Sequence, residues 1–241
     1  MNEKNKVFAG CFIKFGAREH LKELREKGLL YCNPIQYFTN IEDQSLRGDE
    51  MENVVDMHYM ESGTVTLSPV GETPSANSTT MSFTDARFTS RIMEPFGNLF
   101  CLFAINLLDK PLGEVFTVSE RVKGFGDSFL LIHDSSAFFN RIQRAVAAHQ
   151  LRADADLVEY IDFSRFTGKK TVFQKDLRYA YQQEWRLYIY NNKAEPIKLE
   201  IGSLEDISVW GTSEAIEQLL IAGRQLDETR YSILSNMISE P

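Results

Sequence analysis

The run Asn98–Leu108, NLFCLFAINLL, is the most apolar stretch of the chain, bounded by Gly97 on one side and Asp109-Lys110-Pro111 on the other. It is far shorter than the ~18–20 apolar residues of a membrane span, and both of its alternating residue sets are apolar. That pattern predicts a central strand buried on both faces, on which the core is built. The rest of the chain must therefore supply two covering layers. Phe129–His133 repeats the theme. Asp134 or Ser135 can cap a following helix, Ser136–His149, in which Phe138, Phe139, Ile142, Ala145 and Val146 form one apolar stripe. His133, between strand and cap, reads as structural.

The flanking segments fill in an α+β chain. Val7–Phe15 reads as a first strand, and Arg18–Lys27 as a helix with Leu21 and Leu24 inward and Gly28 ending it. Leu29–Tyr31 resumes extended structure before a turn at Asn33-Pro34. Leu157–Phe163, Pro196–Ile201 and Leu204–Trp210 add strands. Thr212 or Ser213 caps a helix Glu214–Ala222, and Glu228–Ile238 reads as a terminal helix. With about eight strands and helices set apart from them, the reading is one α+β domain over residues 1–241.

Composition narrows the function classes. The 241 residues are 43% hydrophobic, enough for a sizeable core, and no linker, repeat or low-complexity tract interrupts them. A net charge of −8 argues against a nonspecific nucleic-acid coat or a polybasic membrane binder. The three cysteines, Cys11, Cys32 and Cys101, stand singly in apolar surroundings without CxxC spacing, as reduced buried thiols do. With no secretion signal in MNEKNKVFAGCFIKFG, a cytoplasmic protein without membrane contact is expected.

Lys175–Tyr190, KDLRYAYQQEWRLYIY, is where chemistry concentrates. Its aromatic and β-branched alternation predicts a strand, and side chains two apart on a strand sit roughly 7 Å from each other. Gln182, Glu184 and Arg186 would then share one face, putting an amide, a carboxylate and a guanidinium in reach of one ligand. An ordinary strand with one solvated face has the same pattern.

Three other segments hold candidates. Asn40–Asn53, NIEDQSLRGDEMEN, reads as a solvated surface loop, in which Arg47 could bind an anionic group such as pyrophosphate. Ser68–Ser78 is rich in Gly, Pro and Ser and reads as a mobile loop. Thr79–Thr84 reads as a strand with Thr80, Ser82 and Thr84 on one face, hydroxyls that can hold a neighbouring carboxylate. No P-loop, Rossmann glycine fingerprint, nucleophile elbow or HExxH is present.

The segments FIKFG…HLKELREKGLLYCNPIQYF…EDQSLRGDEME, STTMSFTDA with GNLFCLFAI, and FQKDLRYAYQQEWRL resemble a family of poorly characterised bacterial proteins encoded among phage-defence and mobile-element genes. These in turn are similar to toxin-type ADP-ribosyltransferases. The resemblance implies a mixed, mostly antiparallel sheet split into two halves, with peripheral helices. It implies NAD as substrate, an intracellular acceptor that is protein or nucleic acid, and a neutralising antitoxin. Residue by residue, it makes Glu184 the catalytic carboxylate with Gln182 two positions before it. Lys14, Tyr37, Arg47 and Ser82 become the cofactor-binding set, with no metal. Lys14 departs from the usual arginine or histidine.

The residues also admit two other functions. A metal-dependent nuclease would use Asp49, Glu52 and Glu184 as ligands with Lys175 assisting a water. A non-catalytic binding module would present Tyr179, Tyr181, Trp185 and Arg186 to a partner.

Overall fold

The computed structural model describes residues 10–40, 48–70, 78–106, 115–116, 118–216, 219–220, 225–227 and 230–231. The chain begins with β1 (Gly10–Gly16), α1 (Arg18–Lys27), β2 (Leu29–Pro34) and α2 (Ile35–Asn40). A long hairpin, β3 (Val54–Leu67) and β4 (Thr79–Arg91), precedes β5 (Asn98–Asn106), β6 (Val115–Phe116), α3 (Glu120–Lys123) and β7 (Ser128–Ile132). After α4 (Ser135–Ala148) come β8 (Ala153–Leu157), β9 (Glu159–Ile161), β10 (Gly168–Lys169), β11 (Gln174–Asp176), β12 (Glu184–Ile189), β13 (Ile197–Glu200) and β14 (Ser208–Thr212). The architecture is α+β with mostly antiparallel sheets. Among the described residues, no helix is long and apolar enough to cross a membrane.

The main sheet has eight strands and is organised on β5, as its apolar run predicts. Phe103 is paired with Ile13 of β1 on one edge and with Glu184 of β12 on the other. Leu99 is likewise paired with Asn33 of β2 on one edge and Tyr188 of β12 on the other. β1 and β2 therefore share one edge of β5, at opposite ends of the strand. They part between those ends: β1 continues into β7 and β14, and β2 into β13. The sheet opens there.

Both faces of β5 are covered. Phe12, Leu102, Trp185, Leu187 and Phe138 form the larger cluster, against which α1 and α4 pack. On the other face, Ile13, Phe15, Phe103 and Ile105 form one cluster, while Ile35, Leu99 and Tyr188 form another. α1 ends where expected, with Gly28 at φ 65 donating its N–H to the Glu23 carbonyl. A Cβ there would meet the Gly202 carbonyl oxygen at 2.0 Å. Asp134 caps α4 by accepting from the Ala137 N–H at 2.8 Å.

Several expected elements differ. Asn33-Pro34, expected as a turn, is the end of β2, and the helix Ile35–Asn40 follows it directly. Thr79–Thr84 is part of a much longer strand, in an exposed three-stranded sheet ordered β10-β3-β4. The helix expected over Glu214–Ala222 is a 3-10 turn, Ser213–Ile216, followed by a strand at Leu219–Leu220 that pairs with β6. The Ser213 hydroxyl donates to the Gly126 carbonyl and so does not cap a helix. Of the expected terminal helix, Arg230–Tyr231 is strand paired with Gln225–Asp227, and the remainder lies outside the described residues. Residues 71–77 of the expected mobile loop also lie outside them.

Candidate functional site

The opening in the sheet is a cleft of about 180 Å³. Lys14 and Phe15 of β1, Tyr31 and Asn33 of β2, Tyr37 of α2 and the middle of β5 form its walls, and Glu52, Lys175, Gln182, Glu184 and Arg186 form its polar floor. The Lys14 ammonium donates to the Cys101 carbonyl at 2.8 Å and lies over the Phe100 ring, at the point where β5 has parted from β1 and β2.

The segment Lys175–Tyr190 is not one strand. Asp176 accepts from the Arg178 N–H at 3.0 Å and starts a 3-10 turn, Leu177–Gln182. Gln183 then adopts a left-handed conformation, φ 40 and ψ 53, with its carbonyl accepting from the Ala104 N–H at 2.8 Å. Only from Glu184 does the chain run as strand. Glu184 and Arg186 do share a face, in register with Phe103 and Cys101 of β5. Gln182 reaches the same place by another route.

That route is Lys175, carried on the short parallel pair β9–β11. Its ammonium donates to Gln182 Oε1 at 2.6 Å and to Glu184 Oε1 at 2.8 Å. Arg186 donates from Nε to the other oxygen of Glu184 at 2.7 Å, and from Nη1 to the Val172 carbonyl at 2.6 Å. Its terminal nitrogens clasp Glu52, Nη1 meeting Oε2 at 3.0 Å and Nη2 meeting Oε1. The Glu184 backbone N–H donates to the Tyr160 hydroxyl at 2.8 Å. Two glutamates, a lysine and an arginine thus form one buried, closed network.

Its electrostatics follow from burial and pairing. Burial opposes the charge on Glu184, but Arg186 and Lys175 outweigh it and hold the carboxyl below the usual range. Glu52 is shifted down against the same penalty by Arg186 and by Lys175 and Lys170. Burial works against the charge on Lys175 as well, and Glu184 and Glu52 reverse it. For Asp49 and Lys170 the opposite charges nearby do not outweigh burial. Burial raises the Asp49 pKa and lowers that of Lys170, and among the described residues Asp49 Oδ2 and Lys170 Nζ have no hydrogen-bond partner.

Among the residues named from sequence, Glu184, Gln182, Lys14 and Tyr37 all line the cleft. Ser82 does not: it is exposed on β4, opposite Thr64. Arg47 lies outside the described residues. Glu52 and Asp49, expected in a solvated loop or, with Glu184 and Lys175, around a metal, are 3% and 0% exposed; the Asp49 N–H is tied to the Phe38 carbonyl, and Glu52 lies with Glu184 and Lys175 in the network. The isolated acid-rich spacing gave no sign that one of these acids meets an arginine far along the chain. Trp185, Tyr179 and Arg186, considered for a docking face, are buried. Among the described residues, no group of three His, Cys, Asp or Glu side chains is arranged to hold a metal ion. Glu52 and Glu184 are instead bridged by Arg186.

Comparison with family models, with curated proteins and with solved structures gives no match for this chain.

Proposed function

We propose that the cleft binds NAD and that the protein transfers ADP-ribose from it to an intracellular acceptor, with Glu184 as the carboxylate beside the ribose. The observation that carries this reading is the sheet's division at β5, which gathers Glu184, Gln182, Lys14 and Tyr37 around one cleft. A split antiparallel sheet with a glutamate on its floor suits that chemistry. When the bond between nicotinamide and ribose breaks, its electron pair leaves with nicotinamide and positive charge develops on the ribose. An ionised carboxylate in a water-poor site stabilises that charge more than it stabilises the ground state.

The network keeps Glu184 ionised without using it up. Each carboxylate oxygen offers two acceptor positions, and Lys175 and Arg186 occupy one apiece. A ribose hydroxyl can take another. The acceptor attacks the carbon that nicotinamide leaves, and in a phage-defence or toxin setting an antitoxin would restrain that reaction.

The test is nicotinamide release from NAD, alone and with cell extract as acceptor source, by wild type, Glu184→Gln and Tyr37→Ala. Wild type is expected to turn over, and Glu184→Gln to lose about 10²–10³-fold in kcat. Tyr37, 44% exposed, can be truncated without disturbing the core, and Tyr37→Ala should raise KM. No nicotinamide release in either condition would overturn the reading.

A further inference from the structure

The enclosed part of the cleft, about 180 Å³, is smaller than the ~300–1,000 Å³ of clefts that enclose a drug-sized ligand. A dinucleotide seated at Glu184 must therefore extend past the rim, and strand register identifies what it would meet. Asn33 is opposite Leu99, whose other neighbour is Tyr188, two positions on from Arg186, so the face of β2 that carries Asn33 and Tyr31 is the face that carries Glu184 and Arg186. One strand further out, Lys198 of β13 is opposite Tyr31 and stands on that face too, its ammonium 5.7 Å from the Tyr31 ring centre.

These groups are accessible. Tyr31 is 47% exposed, and neither its hydroxyl nor that of Tyr37 has a hydrogen-bond partner among the described residues. Among those residues no carboxylate pairs with Lys198, in contrast to Lys22, Lys27 and Lys123, each of which has an acidic partner. An exposed tyrosine, with an ammonium over its ring that no carboxylate among the described residues holds, matches a flat base that carries phosphate: the base stacks on the ring, and the flexible cation turns to the charge.

We propose that Tyr31, Tyr37 and Lys198 form the subsite for the adenine nucleotide half of the ligand, with Tyr31 and Tyr37 against the base and Lys198 at the phosphates. This rests on the reading of the cleft given above. It assigns a binding role to β13, a strand that contributes nothing to the cleft floor.

The probe is ADP, with adenosine and inorganic pyrophosphate for comparison, titrated calorimetrically into wild type, Tyr31→Ala, Lys198→Ala, Lys198→Arg and Lys193→Ala. ADP should bind wild type more tightly than either fragment. Tyr31→Ala and Lys198→Ala should each weaken it about tenfold, Lys198→Arg should retain most of the affinity, and Lys193→Ala should leave it unchanged. Lys198→Ala should also reduce the salt dependence of binding. Tm without ligand should be the same in all five proteins. No ADP binding by wild type, or affinity unchanged from wild type in Tyr31→Ala and Lys198→Ala, would overturn the subsite. Rim-dependent ADP binding without nicotinamide release would keep the subsite and remove the transfer reading. Nicotinamide release with rim variants unaffected would do the reverse.

Discussion

Glu52 and Arg186 are 134 positions apart in sequence and face each other fork to fork, both carboxylate oxygens meeting guanidinium nitrogens out of contact with solvent. Arg186 holds Glu184 with its remaining nitrogen, so Glu52 fixes the orientation of the cleft carboxylate through one intermediary. Breaking a buried pair from one side leaves an uncompensated charge. Glu52→Ala should therefore cost about 3–5 kcal/mol in urea denaturation, whereas Glu23→Ala, which removes an exposed partner of Lys27, should change stability little.

Acid should loosen the protein through the same network. Glu184 and Glu52 bind protons at lower pH when folded than their ordinary value of 4.5, so between the two values the unfolded chain holds more protons. Their contribution is complete above about pH 4.5 and is lost as pH falls below it. Asp49, shifted up by burial, opposes this by gaining a proton more readily in the fold. Denaturation midpoints measured from pH 7 to pH 3 should fall steeply in wild type below pH 4.5, and less steeply in Glu184→Gln.

Gln183 holds a left-handed backbone that a side chain disfavours, and it does so between the two residues that converge on Lys175. Gln183→Gly should leave stability unchanged or raise it by up to about 1 kcal/mol. A β-branched residue cannot adopt the conformation without strain, so Gln183→Val should be destabilised by about 1–3 kcal/mol. Paired chemical denaturation of the two variants checks both signs.

Burial raises the Cys11 and Cys32 thiols to about 12. At pH 8 neither should react with iodoacetamide while the protein is folded, and both should react in denaturant. Mass spectrometry of the alkylated peptides reads this directly.

The sequence displayed what depends on local period and composition. The both-sided apolarity of Asn98–Asn106 marked the centre of the sheet, and α1 and α4 carry apolar stripes and end signals that depend on few distant partners. Alternation misled at Tyr179–Gln183, where an Asp176 cap and one left-handed residue produce a 3-10 turn with strand-like spacing. It also could not reveal that Thr79–Arg91 belongs to a ribbon exposed on both faces. For the site, Glu184 and Gln182 were visible as a short motif. Glu52 and Lys175 acquire their place only through the turn tied to α2 and the parallel pair β9–β11, long-range arrangements that leave no periodic trace.

Because β5 receives β1 from before it in the chain and β12 from well after it, the cleft forms only once the chain has been made through β12. While a nascent chain has emerged only as far as residue 174, Glu52 has neither of its cationic partners from Lys175 and Arg186, and one edge of β5 has no β12 to pair with. Premature termination or cleavage before that point yields a fragment with Lys14, Tyr37 and Glu52 but without Lys175, Gln182, Glu184 and Arg186. The order of the strands along the gene thus keeps the cleft unassembled until translation has passed residue 189.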